Sequence, residues 1–544
     1  MAEAEPNISR EETAVPDGAH IGDIRGALGT ISQHDVGPRR GWGPRLLTLA
    51  AIVGPGLIVT VGDNDAGGVS TYSQAGQTYG TSLLWTLILL IPILIVNQEM
   101  VVRLGAVTGV GQARLIIERF GRSWGWFSVA DLFVLDFLTI VTEFIGVALA
   151  LGYFGVSKYL AVPLAAAALV AITASGSFRR WERFMLLFVV ANFLIIPLAV
   201  FSHPQAGSVL HGLVVPGVQG GVSSTSVLLI IAVIGTTVTP WQLFFQQSNI
   251  VDKRITPRWI NYERVDTILG SLVTILGAGA LMVTCAFAFD HTPLAGHYRD
   301  SAGVAAGLGR YLGHGAGTLF AIVLLNASII GAGAVTLATS YAFGDVFGAH
   351  HSLDRRFRDA KGFYASFTAL MAVAAGIVLI PHAPLGLITT LVQALTGLLV
   401  TNATVFVLLL CNDRDVLGPW VNRTWLNVVA FVIVSVLLVL SFILVVTTLF
   451  PHVDIVRLAV VVGTVMLVGL VLVGLANRRT AGAAVRLVGE ERVRRETWRM
   501  PPLALMGRPE WSRGRKIAIS SLRIYLVMAV VLLVVKAVQL GTGS

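Results

Sequence analysis

Apolar runs of around 20 residues recur along nearly the whole chain, separated by short polar stretches, and each run is long enough to cross a bilayer as a helix. We read about thirteen such spans: roughly 46–79 (interrupted), 81–102, 126–154, 157–175, 182–202, 226–248, 266–289, 316–344, 363–381, 385–410, 425–450, 454–475 and 520–538. The pattern predicts an all-α polytopic membrane protein. Residues 1–41 are polar and mixed in charge, with no apolar core for a signal peptide, and predict a disordered tail. The stretch from about 476 to 516, rich in Arg and Glu and carrying Trp498 and Trp511, predicts a basic linker beside the anionic leaflet.

Composition sharpens this picture. Of the 544 residues 55% are hydrophobic and only 13% charged, about half the charge of a soluble domain. A soluble enzyme, a disordered chain and a nucleic-acid binder are excluded despite the formal charge of +9. Cys285 and Cys411 lie in or beside apolar segments and offer neither a disulfide framework nor a thiolate metal site. Basic residues concentrate in the loops after spans two, four, six, eight, ten and twelve; Arg103, Arg179, Lys253, Arg355 and Arg414 are examples. By the positive-inside rule those loops and the N-terminus are cytoplasmic. We expect a multi-pass protein of a bacterial plasma membrane, working as a monomer.

Two spans do not read as continuous helices. The first contains Gly62-Asp63-Asn64-Asp65-Ala66-Gly67-Gly68, and carboxylates with glycines at mid-membrane depth are costly in a helix facing lipid. The simpler reading is a loop between two short spans, but residues 46–61 alone barely cross a membrane. The sixth contains Gly235-Thr236-Thr237-Val238-Thr239-Pro240-Trp241-Gln242, where Pro240 leaves the Thr236 carbonyl without its helical donor. A lone proline is commonly just a kink. The pairing argues otherwise: the two broken spans sit five apart in opposite orientation, the mark of inverted repeats with a substrate site between unwound helices. Facing carbonyls and a carboxylate form a cation site made of oxygen.

At these residues the chain resembles the Nramp family of divalent-metal transporters, which have the LeuT-type fold of inverted five-helix repeats. Gly54-Pro55-Gly56, Gln74-Ala75-Gly76, Arg103-Leu104-Gly105-Ala106-Val107-Thr108-Gly109, Glu143-Phe144-Ile145-Gly146, Arg180-Trp181-Glu182 and Asn412-Asp413-Arg414 carry the likeness, from about residue 44 to 450. It implies a transport core at 42–410, with repeats at about 44–202 and 226–410. Helices eleven and twelve then fill 411–475, and a last membrane helix lies within 517–544. The family's Asp-Pro-Gly-Asn signature falls on Asp65-Ala66-Gly67-Gly68, and its Met-Pro-His on Thr239-Pro240-Trp241. The resemblance thus implies a metal site at Asp65, Gly68, Thr236 (through its carbonyl), Thr239 and Gln393. The thioether is replaced by Thr239, the histidine by Trp241, and the first of two third-helix acids by Ile140, with Glu143 kept.

A sulfur ligand favours soft ions; an all-oxygen site suits hard ones, and Mg2+ keeps several waters. With Gly68 leaving room for such waters, the chain looks like the Nramp-related magnesium transporters. The expected cargo is Mg2+, with Mn2+ also carried, and no cofactor is expected. Trp241 and Ile140 remove groups that would titrate, which leaves Glu143 and Asp136 as proton-path remnants or as plain buried hydrogen-bonding partners. Asp63, outside the signature, is a water-binding carboxylate or a cap on the break. Asn326 and Asn402 read as interhelical glue, and His203, His211, His291, His297, His314, His350, His351 and His382 as surface loop residues. Two alternatives stand beside this reading. One is a proton-coupled Mn2+/Fe2+ transporter with an atypical site; the other is an intramembrane enzyme, disfavoured because no nucleophile-and-base pair is found within the spans.

Overall fold

The computed structural model describes residues 18–381, 385–450, 453–480, 495–496, 498–507 and six positions between 520 and 531. Most of the expected thirteenth span, 520–538, most of the 476–516 linker, residues 1–17 of the tail and His382 lie outside the described residues.

The N-terminal segment departs from expectation. Instead of a disordered tail to residue 41, strands β1 (Ile24–Gly26) and β2 (Gly29–Ile31) pair antiparallel with Ile24 opposite Ile31. Ile24, Ala27 and Ile31 are buried against the helices behind them. The tip is held by distant side chains: Ala27 N–H donates to Glu182 Oε2 and Arg183 Nε donates to Ala27 O at 2.8 Å. Tertiary partners, not local composition, order this stretch. Just beyond it, a hydrogen bond from Arg39 holds the Asp35 carboxyl below its usual pKa.

Helices occupy the twelve expected spans through residue 475. The first span divides into α1 (Trp42–Ile52), α2 (Pro55–Val61) and α3 (Ala66–Tyr79). It is followed by α4 (Trp85–Thr108), α5 (Gln112–Phe120), α6 (Arg122–Tyr153), α7 (Lys158–Thr173), α8 (Phe178–Ala191) and α9 (Ile195–Phe201). After α10 (Ala206–Val214) the sixth span divides into α11 (Ser224–Thr237) and α12 (Pro240–Asp252), and α13 (Ile260–Phe289), α14 (Ser301–Tyr311), α15 (His314–Phe347), α16 (Lys361–Val378) and α17 (Leu385–Cys411) follow. Then come α18 (Arg414–Leu417), α19 (Thr424–Leu449) and α20 (Ile455–Thr480). The broken spans cross at the centre: α3 packs on α11 and α17, and α2 on α12. The third span, α6, lies along the eighth, α15. Small residues let backbones touch, as expected where lipid gives no hydrophobic drive between helices. At Gly235 a Cβ would overlap the Gln393 carbonyl and the Gly397 backbone of α17. Asn326 Nδ2 donates to Phe188 O at 3.0 Å and Asn402 Nδ2 to Asp131 Oδ2 at 2.9 Å, so both amides join helices as read.

The α1–α2 joint is built from charge. Gly54 stands at φ +150°, open only to glycine, where a Cβ would also strike the Glu182 carboxylate. Gly54 N–H and Gly56 N–H donate to Asp266 Oδ2 at 3.1 and 2.7 Å. Lys253 Nζ donates to Ile52 O at 2.6 Å, Val53 O at 3.0 Å and Glu182 Oε1 at 2.6 Å, with both charged side chains buried. Removing one partner of a buried pair strands the other. Lys253→Met is therefore expected to destabilise the fold by about 3–5 kcal/mol, read as a lower Tm in detergent, and Glu182→Gln added to it should recover part of the loss. One further residue departs from expectation here. His351, read as a surface loop residue, is buried with its Nε2 3.1 Å from Asp345 Oδ1.

Candidate functional site

The site grows from the two interruptions. In the first, Asp63 N–H and Asn64 N–H close the end of α2 on the Thr60 and Val61 carbonyls, at 3.2 and 3.1 Å. Asp65 then caps α3, its Oδ1 accepting from Gly68 N–H at 2.7 Å. Glu143 of α6 does the same from outside, Oε2 accepting from Ala66 N–H at 3.1 Å. Two carboxylates thus complement the positive end of one half-helix. In the second break, neither usual donor reaches the Thr236 carbonyl: Pro240 has no N–H, and Thr239 N–H goes to Gln242 Oε1 at 3.1 Å.

The breaks touch. Thr239 O–H donates to Asp63 Oδ1 at 3.2 Å, and Tyr72 Oη shares a 2.7 Å hydrogen bond with Thr237 Oγ1. An ideal Cβ on Gly68 would stand 3.3 Å from Thr236 Oγ1, so the third helix of the first span faces that threonine directly. At Gly67 a Cβ would overlap the Gln393 amide, and at Gly331 of α15 it would meet both Glu143 and Asp65. The structure therefore brings together Asp63, Asp65, Gly67, Gly68, Thr236, Thr239 and Gln393, with Glu143 on the rim. All are buried, except that the glycines contribute only backbone. Several oxygens are buried without a hydrogen-bond partner among the described residues: Asp63 Oδ2, Asp65 Oδ2, Asn64 Oδ1, Thr236 Oγ1 and Glu143 Oε1. Among the described residues no Lys or Arg bonds to the carboxylates of Asp63, Asp65 or Glu143. A buried polar atom without a partner is costly, and among the described residues the unsatisfied groups here are mostly carboxylate, amide and hydroxyl oxygens, beside the Gln393 amide nitrogen and the Trp241 indole N–H. Such a set is chemically suited to a cation. Among the described residues no three His, Cys, Asp or Glu side chains gather as a metal cluster; the donors are two carboxylates supplemented by hydroxyl, amide and carbonyl groups.

Gly68 requires a correction. It was expected to leave room for metal-bound water, but the space over its Cα is filled by the Asp63 carbonyl, 2.6 Å from an ideal Cβ, and by Tyr72 and Thr236. Its backbone N–H serves Asp65. Trp241 packs over the first break, its Cη2 3.2 Å from where a Gly62 Cβ would be, and its ring leans on Phe245. Asp136 lies about 10 Å along α6 from Glu143 and accepts from Thr339 O–H at 2.6 Å, so it joins α6 to α15. Sequence reasoning missed Asn64, whose Nδ2 donates to Thr274 O of α13 at 3.1 Å. It lies within the broken motif, between the two carboxylates.

Similarity to known proteins agrees with this geometry. The family model described as Natural resistance-associated macrophage protein-like (Nramp) matches residues 56–447. The chain belongs to the Nramp family. Its Nramp relatives include the "Divalent metal cation transporter MntH" of Klebsiella pneumoniae strain 342, 26% identical over 409 residues, covering 72% of this chain and 92% of that protein. The protein of the same name from Bacillus subtilis is 26% identical over 421 residues, covering 74% and 93%. Among solved structures, the Eremococcus coleocola manganese transporter superposes with a TM-score of 0.63 at 20% identity, covering 82% of this chain and 98% of that one. That likeness carries the fold. This Nramp protein accordingly has the LeuT fold with discontinuous first and sixth spans, and it is a multi-pass membrane transporter rather than an enzyme.

Proposed function

We propose that this chain carries a divalent metal ion across a bacterial plasma membrane, and that its preferred cargo is Mg2+, with Mn2+ also accepted. The relatives' common name supports the divalent class. The observation that carries the finer reading is the donor set at the breaks. Asp63, Asp65, Thr236, Thr239 and Gln393 offer oxygen alone, with a hydroxyl where a thioether would select soft ions and an indole where an imidazole would bind or titrate. Asp65 is the direct ligand in this reading. Asp63 and Thr239, linked by their hydrogen bond, form a pair that binds metal or its water. Gln393 joins by turning its amide oxygen inward. Gly68 acts through the cap it gives Asp65 rather than as a ligand.

Transport runs without proton coupling in this proposal. Glu143 caps α3 and Asp136 bridges to Thr339, so both surviving acids have structural work. The membrane potential alone suffices as a drive, because a divalent cation entering a negative interior gains about 4.6 kcal/mol per 100 mV. With basic loops inside, the N-terminal hairpin is cytoplasmic, and the chain works as a monomer. Liposomes holding the purified protein, a metal-sensitive dye and a pH dye test the proposal with Mg2+, Mn2+ and Ca2+. The expected result is Mg2+ influx that grows with inside-negative potential and leaves lumenal pH unchanged. Acidification that tracks metal entry would instead favour the proton-coupled Mn2+/Fe2+ reading, and Mn2+ influx without Mg2+ influx would remove the Mg2+ assignment.

A further inference from the structure

At the basic-loop end of the bundle a cleft of about 330 Å³ opens between α4, α13 and the start of α19, within the size range of small-ligand sites. Its charge is one-sided. Arg103, Arg264 and Arg423 line it against a single carboxylate, Glu99. Arg103 is buried and fixed as the floor: it donates to Trp420 O and Asn422 Oδ1, each at 2.6 Å, and to Glu99 Oε2 at 3.0 Å. Arg264, half-buried, donates to the other Glu99 oxygen at 2.6 Å and so shares that one carboxylate with Arg103. Arg423 is exposed and makes no ion pair with any described residue. Three guanidiniums sharing one carboxylate leave an excess of positive charge. Arg495 adds a fourth guanidinium, lying 5.0 Å over the Trp420 ring.

The depth of the cleft identifies the occupant. Arg264 immediately precedes an exposed apolar stripe on α13, Val265, Ile268, Leu272 and Leu276. Arg423 similarly lies two residues before Trp425, which is 61% exposed and heads the exposed stripe Trp425, Val428 and Val432 on α19. Exposed apolar stripes on spanning helices face lipid chains, and an amphipathic tryptophan marks the level of the headgroups. The guanidiniums therefore ring the cleft where the hydrocarbon ends, with Ile95 and Trp425 as apolar walls for acyl chains. Planar guanidinium forks match phosphate oxygens, and basic pockets between membrane helices suit anionic headgroups.

We propose that this cleft is a binding site for an anionic phospholipid, with the phosphodiester held by Arg264 and Arg423 and the chains lying along α4 and α19. The full-length protein, stripped of lipid in detergent, is titrated with phosphatidylglycerol or with phosphatidylcholine of the same chains, and bound lipid is counted by native mass spectrometry. A parallel arm adds millimolar inorganic phosphate. Arg358→Gln, at another exposed basic-loop position, serves as the control for general surface charge, and Tm confirms that each variant is folded. The expected result is a stoichiometric phosphatidylglycerol that phosphatidylcholine does not replace, weakened at least fivefold by Arg423→Gln and by Trp425→Ala, unchanged by Arg358→Gln and not displaced by phosphate. Equal retention of the two lipids, equal loss in Arg358→Gln, no loss in Arg423→Gln, or displacement by inorganic phosphate would each overturn the assignment.

Discussion

Asp65→Asn is expected to abolish metal flux in liposomes while leaving the protein folded and inserted. The carboxylate does two things that this substitution separates. Its Oδ1 caps α3 through Gly68 N–H, at 2.7 Å, and an amide oxygen preserves that bond. Its Oδ2 is buried with no partner among the described residues, and the negative charge it presents is what an incoming cation would meet. Losing a buried charge contact costs roughly 2–5 kcal/mol, so binding should fall by at least about 30-fold. Asp65→Ala goes further by deleting the cap as well, at about 1 kcal/mol of stability, and should lower Tm slightly where Asp65→Asn does not. Flux close to wild type in a stable Asp65→Asn protein would remove this residue from the site. The same pair of variants distinguishes a ligand from a helix cap, because only the cap is rescued by the amide.

How much of this was legible in the sequence depends on the range over which each feature is determined. The two breaks were visible because their causes are local: Pro240 cannot donate, and adjacent glycines and carboxylates cannot sit in a lipid-facing helix. Helices at the twelve expected positions through residue 475 were equally legible, since long apolar runs mark membrane helices. Among the described residues nine of the helices, or ten counting the bent first pair as one, are long and apolar enough to cross a bilayer. What could not be read was which groups satisfy one another across the fold. The Thr239–Asp63 bond joins residues 176 apart, and the cap that Glu143 gives Ala66 joins residues 77 apart. Without that second contact, Glu143 looks like a relay acid. The hairpin at residues 24–31 was hidden for the same reason: three short residues per strand carry little pattern, and what orders them is Glu182 and Arg183 on α8. Gly68 misled in the other direction. A missing side chain suggested space, whereas the Asp63 carbonyl occupies the place of its Cβ.

The Asp63 carbonyl packed over Gly68 decides which variant best tests selectivity. Introducing both an amide at Gly68 and a thioether at Thr239 would supply two ligands at once, but any Cβ at Gly68 must displace the Asp63 carbonyl, so Gly68→Asn confounds coordination with distortion. Thr239→Met alone is the cleaner change. Thr239 forms the N-cap of α12 at the second break, with its hydroxyl already on Asp63, so a flexible thioether there extends toward the same acceptor set. The sulfur adds affinity for soft ions, and loss of the hydroxyl leaves both Asp63 oxygens unsatisfied, at a cost on the order of 1–3 kcal/mol. In competition flux assays the variant is expected to shift the Cd2+ to Mg2+ preference by about tenfold or more toward Cd2+, equivalent to roughly 1.4 kcal/mol, with Mg2+ transport reduced. An unchanged ratio in a folded Thr239→Met protein would locate selectivity at Asp63 or Gln393 instead. A parallel Asp63→Asn variant then separates those two, because only a charge contribution is lost when the carboxylate becomes an amide of the same shape.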